Sequence, residues 1–378
     1  MLKKISVQGF KSIEKQTIEL GALNVLVGAN GSGKSNLLSA LSFFRTSTLG
    51  GLDDLVKRQG GANRILHHGK KTTKACFFSC EEDRFSYEQT LIPVAGDSLA
   101  VAKEKLTILN SETESSEGGA DIDSLEDMLR DEERQYLKER VVQGGMTQED
   151  ADEELASYPS AKRHIENWRR YHLHDTSDTS AIKSLCNVDD NRALREDASN
   201  LAAYLFWLKN KESHAYQRIV SIVNLVIPYF EDFALAPLRQ NERTIQLEWK
   251  QKNSDAYFDA YSLSDGSLRF IALTTLLNQP DWAMPSLIVI DEPELGLHPL
   301  ALRLLVEMLE AASQKTQIII ATQSATLLDD CPIDVVIVVD HDGRGSQFRR
   351  LSAEDYAAWL ENFSVGELWL KNVFGGRP

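Results

Sequence analysis

At 378 residues, 42% of them hydrophobic, the chain is long enough for one large or two ordinary domains around a substantial core. Its formal charge is −15, and residues 101–200, with 24 Asp/Glu against 13 Lys/Arg, supply −11 of it, which argues against nucleic acid wrapping that middle region while leaving a local basic patch elsewhere open. The longest nearly apolar run, Ile219–Phe230, is broken by Ser221, Asn224 and Pro228 and is too short for a bilayer; no signal peptide opens the chain, and Cys76, Cys80, Cys186 and Cys331 lack metal-ligand spacing, so a reducing cytoplasm and no membrane partner are expected.

In chain order, Leu2, Ile5 and Val7, then Ile18 and Leu20, predict two strands joined through Gly9–Ile13. Lys11 in that turn is a candidate to sit beside a nucleotide, with a solvated turn lysine as the alternative. Asn24–Val27 reads as a short buried strand and Asn36–Arg45 as a helix, with Gly28-Ala29-Asn30-Gly31-Ser32-Gly33-Lys34-Ser35 between them. That is a complete G-x-x-x-x-G-K-[ST] loop in the strand-to-helix context the motif needs. Its glycines let successive backbone N–H groups turn inward around phosphates at a helix N-terminus, where the dipole favours negative charge. Lys34 adds a point charge for the β- and γ-phosphates, and the Ser35 hydroxyl is placed to ligate Mg²⁺.

Ala75–Cys80 and Phe85–Pro93 predict a second hairpin; Gln89, a weak candidate for a Mg²⁺-sensing glutamine, falls inside one of its strands. Residues 96–232 read as a mainly helical, acidic insertion, with helices at Ile122–Val142, Gln148–Leu155, Ala161–Tyr171, Leu201–Leu208 and Ser213–Val226 and a flexible loop at Ser111–Gly119. His172, His174 and Asp175 invite a metal reading, but no further ligand has recognisable spacing, so a satisfied or solvated pair is expected.

Strands return at Thr244–Trp249 and Ala256–Tyr261, followed by Leu263-Ser264-Asp265-Gly266-Ser267 ahead of an apolar helix, Phe270–Leu277. Ser286–Ile290 is a nearly all-apolar strand ending at Asp291-Glu292-Pro293-Glu294. A carboxylate at that strand end suits a metal held on a phosphate loop, and the next suits polarising an attacking water: Asp291 for Mg²⁺, Glu292 for water. Leu300–Ala312 reads as a helix, Thr316–Ala321 as the next strand, and Thr322-Gln323-Ser324 as a candidate sensor of the γ-phosphate. A last strand is expected at Ile333–Val339, then helices at Ala353–Asn362 and Val365–Lys371 before Gly375-Gly376-Arg377-Pro378.

The order GFKS, phosphate loop, long insertion, LSDGS, IVIDEPE, ELGLHP, ATQS resembles the ATP-binding heads of the SMC, RecF and ABC superfamily, and most of all the small standalone RecF-like AAA family ATPases of bacteria, many of them beside nuclease or toprim-like genes in phage-defence loci. The resemblance covers roughly 1–95 and 230–378 well and the insertion weakly. It implies an α/β P-loop NTPase with an ABC/SMC-type head, a mixed sheet with an antiparallel β subdomain, whose N-terminal half is 1–95 and C-terminal half 233–378. It implies ATP and Mg²⁺ as ligands and a homodimer or higher homo-oligomer, with ATP held between the phosphate loop of one subunit (Gly28–Asn36, Lys11) and Ser264 and Gly266 of the other. Glu292 then matches the catalytic base, Lys34 the phosphate lysine and Gln323 the switch position, with a separate effector protein or DNA as partner. Two departures, Asp265 for a signature glycine and Gln323 for a switch histidine, suggest slow hydrolysis or an ATP-gated scaffold.

Overall fold

The computed structural model describes residues 1–83, 85–108 and 160–376. The first of these form β1 (Lys4–Phe10), β2 (Ile13–Glu19), β3 (Leu23–Val27), α1 (Lys34–Thr48), α2 (Leu52–Arg58), α3 (Ala62–Ile65), β4 (Cys76–Glu81), β5 (Phe85–Val94) and β6 (Ser98–Ile108). After them come α4 (Ser160–Glu166), β7 (Trp168–Tyr171), β8 (Cys186–Asn187), α5 (Leu201–Lys211), α6 (Ser213–Val226), β9 (Phe230–Phe233), β10 (Thr244–Ile245), β11 (Glu248–Gln251), β12 (Tyr257–Asp259) and α7 (Asp265–Leu277). The chain ends through β13 (Leu287–Asp291), α8 (Pro299–Ser313), β14 (Gln317–Thr322), α9 (Ala325–Asp329), β15 (Val336–His341), β16 (Ser346–Arg350), α10 (Ala353–Leu360) and α11 (Val365–Leu370). These elements cluster into two compact units, unit 1 of residues 1–21, 31–168 and 339–349, and unit 2 of 22–30, 169–338 and 350–378.

Unit 1 is built on an antiparallel sheet of order β2-β1-β4-β5-β6. Alternation buries Cys76, Phe78 and Cys80 of β4 and Phe85, Tyr87, Gln89 and Leu91 of β5 on one face. Against that face α1 lays Phe43 and Phe44, whose rings stack on Phe78 at centroid distances of 5.7 and 5.5 Å. The aromatic cluster thereby fixes the helix that begins at Lys34.

Unit 2 carries a sheet in which β15-β3-β14-β13-β7 stand in order. β3, β14, β13 and β15 run parallel, and β3, β13 and β14 are near-continuous apolar runs, as strands covered on both faces must be. Their core continues into α5, α6, α7 and α8; every residue of α7 from Leu268 to Leu277 is buried. Asn24 is the polar exception in β3, and it is satisfied: its amide donates to Ile318 O at 3.1 Å and its carbonyl accepts from Arg350.

Several expectations need correction. The stretch expected as helix to Tyr171 stops at Glu166, and Trp168–Tyr171 is a strand beside β13; Trp168 and Tyr171, three apart, fit a helical face equally well, and the open edge of β13 decides the outcome. The expected start of a helical insertion at residue 96 falls inside the β5–β6 hairpin. Thr244–Trp249 divides into β10 and β11, and the last parallel strand starts at Val336 after a 3₁₀ turn at Ile333–Val335. The edge strand β16 was not expected at all, since SQFRR has no apolar alternation to betray it. The helices expected at Ile122–Val142 and Gln148–Leu155 and the loop at Ser111–Gly119 lie outside the described residues.

Candidate functional site

Three parallel strands of unit 2 end along one edge. Val27 of β3 is level with Thr322 of β14, and Ala321 of β14 with Asp291 of β13, so the chain leaves them at Gly28, Gln323 and Glu292 side by side. Ligands of open α/β sheets bind at this carboxyl end. Gln323 donates from Nε2 to Glu292 Oε1 at 2.5 Å, so the residue expected to sense the γ-phosphate and the residue expected to polarise water are in contact. Glu292 has φ +41°, an uncommon conformation for a residue with a side chain and the kind of backbone strain that clusters at functional sites. Its amide is pinned by a 2.7 Å bond to Ala321 O.

Two further residues at this edge were not singled out in the sequence. Arg170 of β7 places Nη2 3.4 Å from Asp291 Oδ2, while its Nε is buried without a partner. Burial lowers the pKa of this guanidinium, and Asp291 opposes the shift. Glu294 accepts at Oε1 from the Thr322 hydroxyl (2.6 Å) and the Gln323 amide (3.1 Å), while its Oε2 is buried with no partner. Burial is the first cause of its raised pKa. Only the DEPE run itself signalled Glu294, and Arg170 lay in a stretch expected to be helical.

Gly28, Ala29 and Asn30 continue from β3 in unit 2, and Gly31 to Asn36 open α1 in unit 1. Gly31 and Gly33 have φ +79° and +116°, values that L side chains rarely adopt. A Cβ at Gly33 would stand 2.0 Å from the Ser346 hydroxyl, so the loop is tight there, whereas one at Gly31 would meet nothing within 4 Å. The N-terminus of α1 receives no side-chain cap, and Ser32 Oγ is buried without a hydrogen-bond partner. An uncapped helix start with an unpartnered buried hydroxyl fits a phosphate chain. Lys34 is buried and Ser35 exposed at the helix start. The C-terminal tail also reaches the loop: Gly376, whose carbonyl accepts from Trp369 Nε1 at 2.9 Å, comes so close to Gly28 that a Cβ on it would lie 3.6 Å from Gly28 Cα.

The LSDGS run starts α7 one turn earlier than expected. Ser264 is the N-cap, accepting from Ser267 N at 3.1 Å, and Gly266 lies within the first turn. A Cβ at Gly266 would come within 2.1 Å of Gly296 O, so this glycine is needed for packing on the ELGLHP loop. Asp265, expected as a departure from a signature glycine, is exposed and lies 3.6 Å from the buried ammonium of Lys183, which is also 3.5 Å from Asp178. Arg269, missed in the sequence although a cation in a wholly buried helix is a signal, donates to Leu173 O (2.8 Å), His174 O (3.0 Å) and Leu295 O. Among the described residues no hydrogen bond joins Ser264 or Gly266 to Asp291, Glu292 or Gln323.

Lys11, with φ +47°, donates from Nζ to Ser39 Oγ at 2.7 Å, one turn into α1 beyond Ser35. Gln89 is buried in β5 and accepts from Ser47 at 2.5 Å, at the far end of α1; the helical steps from Lys34 to Ser47 span about 20 Å, which removes it from the phosphate loop. Among the described residues no group of three His, Cys, Asp or Glu could hold a metal ion, and no helix is long and apolar enough to cross a membrane.

A family model of the AAA ATPase domain matches residues 1–217, and one described as AAA domain, putative AbiEii toxin, Type IV TA system matches residues 111–329. An uncharacterized protein of Methanocaldococcus jannaschii is 36% identical over 85 residues, 22% of this chain and 26% of that protein. The DNA double-strand break repair Rad50 ATPase of Saccharolobus solfataricus is 33% identical over 118 residues, 29% of this chain and 13% of that one. The matches therefore span only a minor part of either relative. Among solved structures, an Smc head bound to the C-terminal winged-helix domain of ScpA superposes with a TM-score of 0.60 at 16% identity, covering 94% of this chain and 99% of that one. An Smc head with an extended coiled coil from Pyrococcus furiosus, bound to the C-terminal domain of ScpA, gives 0.52 at 15% identity over 95% and 98%. At such identities the likeness is one of fold.

Proposed function

This chain belongs to the family of AAA ATPase domains and has the fold of an SMC-type head, and from that premise we propose that it is a slow, Mg²⁺-dependent ATPase whose ATP-driven head-to-tail dimerisation controls a separate partner, a nuclease or toprim-like protein or DNA, in anti-phage defence or DNA maintenance. The observation that carries this reading is the sheet edge where Gln323 grips Glu292 beside the start of the phosphate loop. In it, Lys34 and the N–H groups of Gly31–Ser35 bind the phosphates, Glu292 takes the proton of the attacking water, and Gln323 holds that carboxylate and orients toward the γ-phosphate. Ser35 and Asp291 would hold Mg²⁺, which supplies charge neutralisation on the phosphates. Ser264 and the backbone at Gly266 act in trans on the partner's nucleotide.

Slow turnover is favoured by a specific feature: Asp291 is already engaged by Arg170, so a metal taken by that carboxylate needs the contact loosened. The alternative, an ATP-gated scaffold whose hydrolysis is incidental, draws on the same feature. The biological setting draws on the name of one matched family, with its putative toxin of a Type IV TA system, and on that of one relative, a DNA double-strand break repair ATPase.

Light scattering after size exclusion of wild type and Glu292→Gln, with and without ATP and Mg²⁺, tests the composite site. The expected result is a dimer, or a multiple of the apo mass, that accumulates in Glu292→Gln only with ATP, together with a loss of hydrolysis of about 100-fold. A mass indifferent to nucleotide in both proteins, with hydrolysis surviving Ser264→Arg, would end the trans-signature reading. A Glu292→Gln chain that leaves the downstream effect untouched would favour the scaffold.

A further inference from the structure

The chain is acidic, yet Lys57–Lys74 holds six Lys/Arg and two His with no Asp or Glu. In unit 1 this stretch borders a cavity of about 620 Å³, walled on one side by His67, His68, Thr72, Thr73 and Lys74 and on the other by the turn at Arg344. That volume lies within the range of small-molecule sites. We infer that this cavity is a second phosphate-binding site, separate from the phosphate loop, for a phosphate-bearing ligand.

The chemistry of the walls selects an anion with several acceptor oxygens. Lys74 uses one ammonium proton on Lys70 O at 3.2 Å and keeps two, and Arg344, exposed at its turn, presents a guanidinium fork suited to phosphate. The exposed Thr72 hydroxyl and His68 ring add donors at the rim. Glu14 is the one carboxylate in the lining. His67 is a fixed wall: its Nδ1 is 2.7 Å from Lys11 O, and its own carbonyl accepts from Thr73.

Both walls are tied to the start of α1. Lys11, which anchors His67, reaches Ser39 Oγ with its ammonium. On the other side the turn at Arg344 leads into Ser346, whose amide donates to Ser12 O at 2.8 Å and whose hydroxyl lies 2.7 Å from Ser12 Oγ and against Gly33. Asn36 donates to the same Ser12 hydroxyl at 2.7 Å. A phosphate in the cavity therefore acts on the two segments that brace the phosphate loop, and by linkage a nucleotide in that loop changes the affinity of the cavity. This coupling rests on the ATPase reading; the site itself does not.

Two sources supply the same chemistry, a free phosphorylated molecule or the backbone of a nucleic acid. The test uses the full chain without ATP and two probes, inorganic pyrophosphate by calorimetry and a short labelled single-stranded oligonucleotide by fluorescence anisotropy, over a salt series. Wild type, Arg344→Glu, Lys74→Glu and Lys34→Ala are compared, the cavity variants being exposed positions whose folding is checked by thermal melts. The expected result is that at least one probe still binds Lys34→Ala, whose phosphate loop is disabled, and loses about tenfold or more in affinity in both cavity variants, with a salt slope that falls with each lost cation. Binding of the oligonucleotide alone assigns the backbone as source, and binding of pyrophosphate alone the free molecule. Binding that is lost only in Lys34→Ala, binding indifferent to Arg344→Glu and Lys74→Glu, or no binding of either probe overturns the site. Because nucleotide is absent throughout, these outcomes are independent of whether the chain hydrolyses ATP.

Discussion

The N-terminus of α1 and the N-terminus of α7 are both placed by sequence motifs for phosphate, yet they are finished differently. At α1 no side chain caps the helix, Gly31 and Gly33 turn the backbone into left-handed space, and Ser32 Oγ is buried without a partner. At α7 Ser264 caps the first turn, Gly266 is packed on Gly296, Asp265 lies beside Lys183 and Arg269 binds three carbonyls. One end is uncapped and holds a buried hydroxyl without a partner; the other is capped and packed within its own chain. An uncapped helix end with an unpartnered buried hydroxyl has most to gain from a ligand, and a capped, packed one has less.

The largest effect should come from the open end. Lys34→Ala is expected to lower the rate of phosphate release about 100-fold or more and to abolish the rise in melting temperature that ATP gives the wild type. A variant that keeps the ATP-dependent melting shift would show that the donors at α1 serve some other anion. At the closed end the expectation is split. Ser264→Ala should cost about 1 kcal/mol of stability through the lost cap, read as a lower melting temperature, and should reduce hydrolysis only at protein concentrations where dimers form. Hydrolysis unaffected at every concentration would reduce α7 to an ordinary capped helix.

Much of this contrast was legible beforehand because the phosphate loop is a local device: its glycines set its backbone, and the flanking apolar runs set its strand and helix. The strands β13 and β14 were legible for the same reason, being short, continuous and apolar. What the residues did not reveal were partnerships between distant segments. Arg170 and Asp291 are 121 positions apart, and nothing in the pattern WRRY marks it as a strand or names β13 as its neighbour. The nearness of Lys183 to Asp265 was invisible for the same reason. Gln89 erred in the opposite direction: a polar residue in an alternating strand was given a functional candidacy, whereas the buried face of β5 puts it against Ser47.

The sheet edge extends the comparison, because Asp291 is closed by an internal partner much as α7 is. Arg170→Gln should release it, and the Mg²⁺ concentration giving half-maximal hydrolysis should fall a few-fold, since a metal no longer competes with the guanidinium for that carboxylate. A rise instead would mean that Arg170 orients Asp291 for the metal.

The smallest effect is expected at Glu294. Its Oε1 is held by Thr322 and the Gln323 amide while Oε2 is buried and unpartnered, and burial lifts its pKa above the ordinary 4.5. A carboxyl whose pKa is higher in the folded than in the unfolded state holds more protons when folded. Its contribution to stability is therefore fully present below about 4.5 and is lost as pH rises through the raised value. Glu294→Gln keeps an acceptor for both bonds and carries no charge to desolvate, so it should match wild type at low pH and exceed it by about 1 kcal/mol or less above that window, seen in melting curves taken across pH. Equal pH dependence in both proteins would mean that the second oxygen is stabilised as a carboxylate.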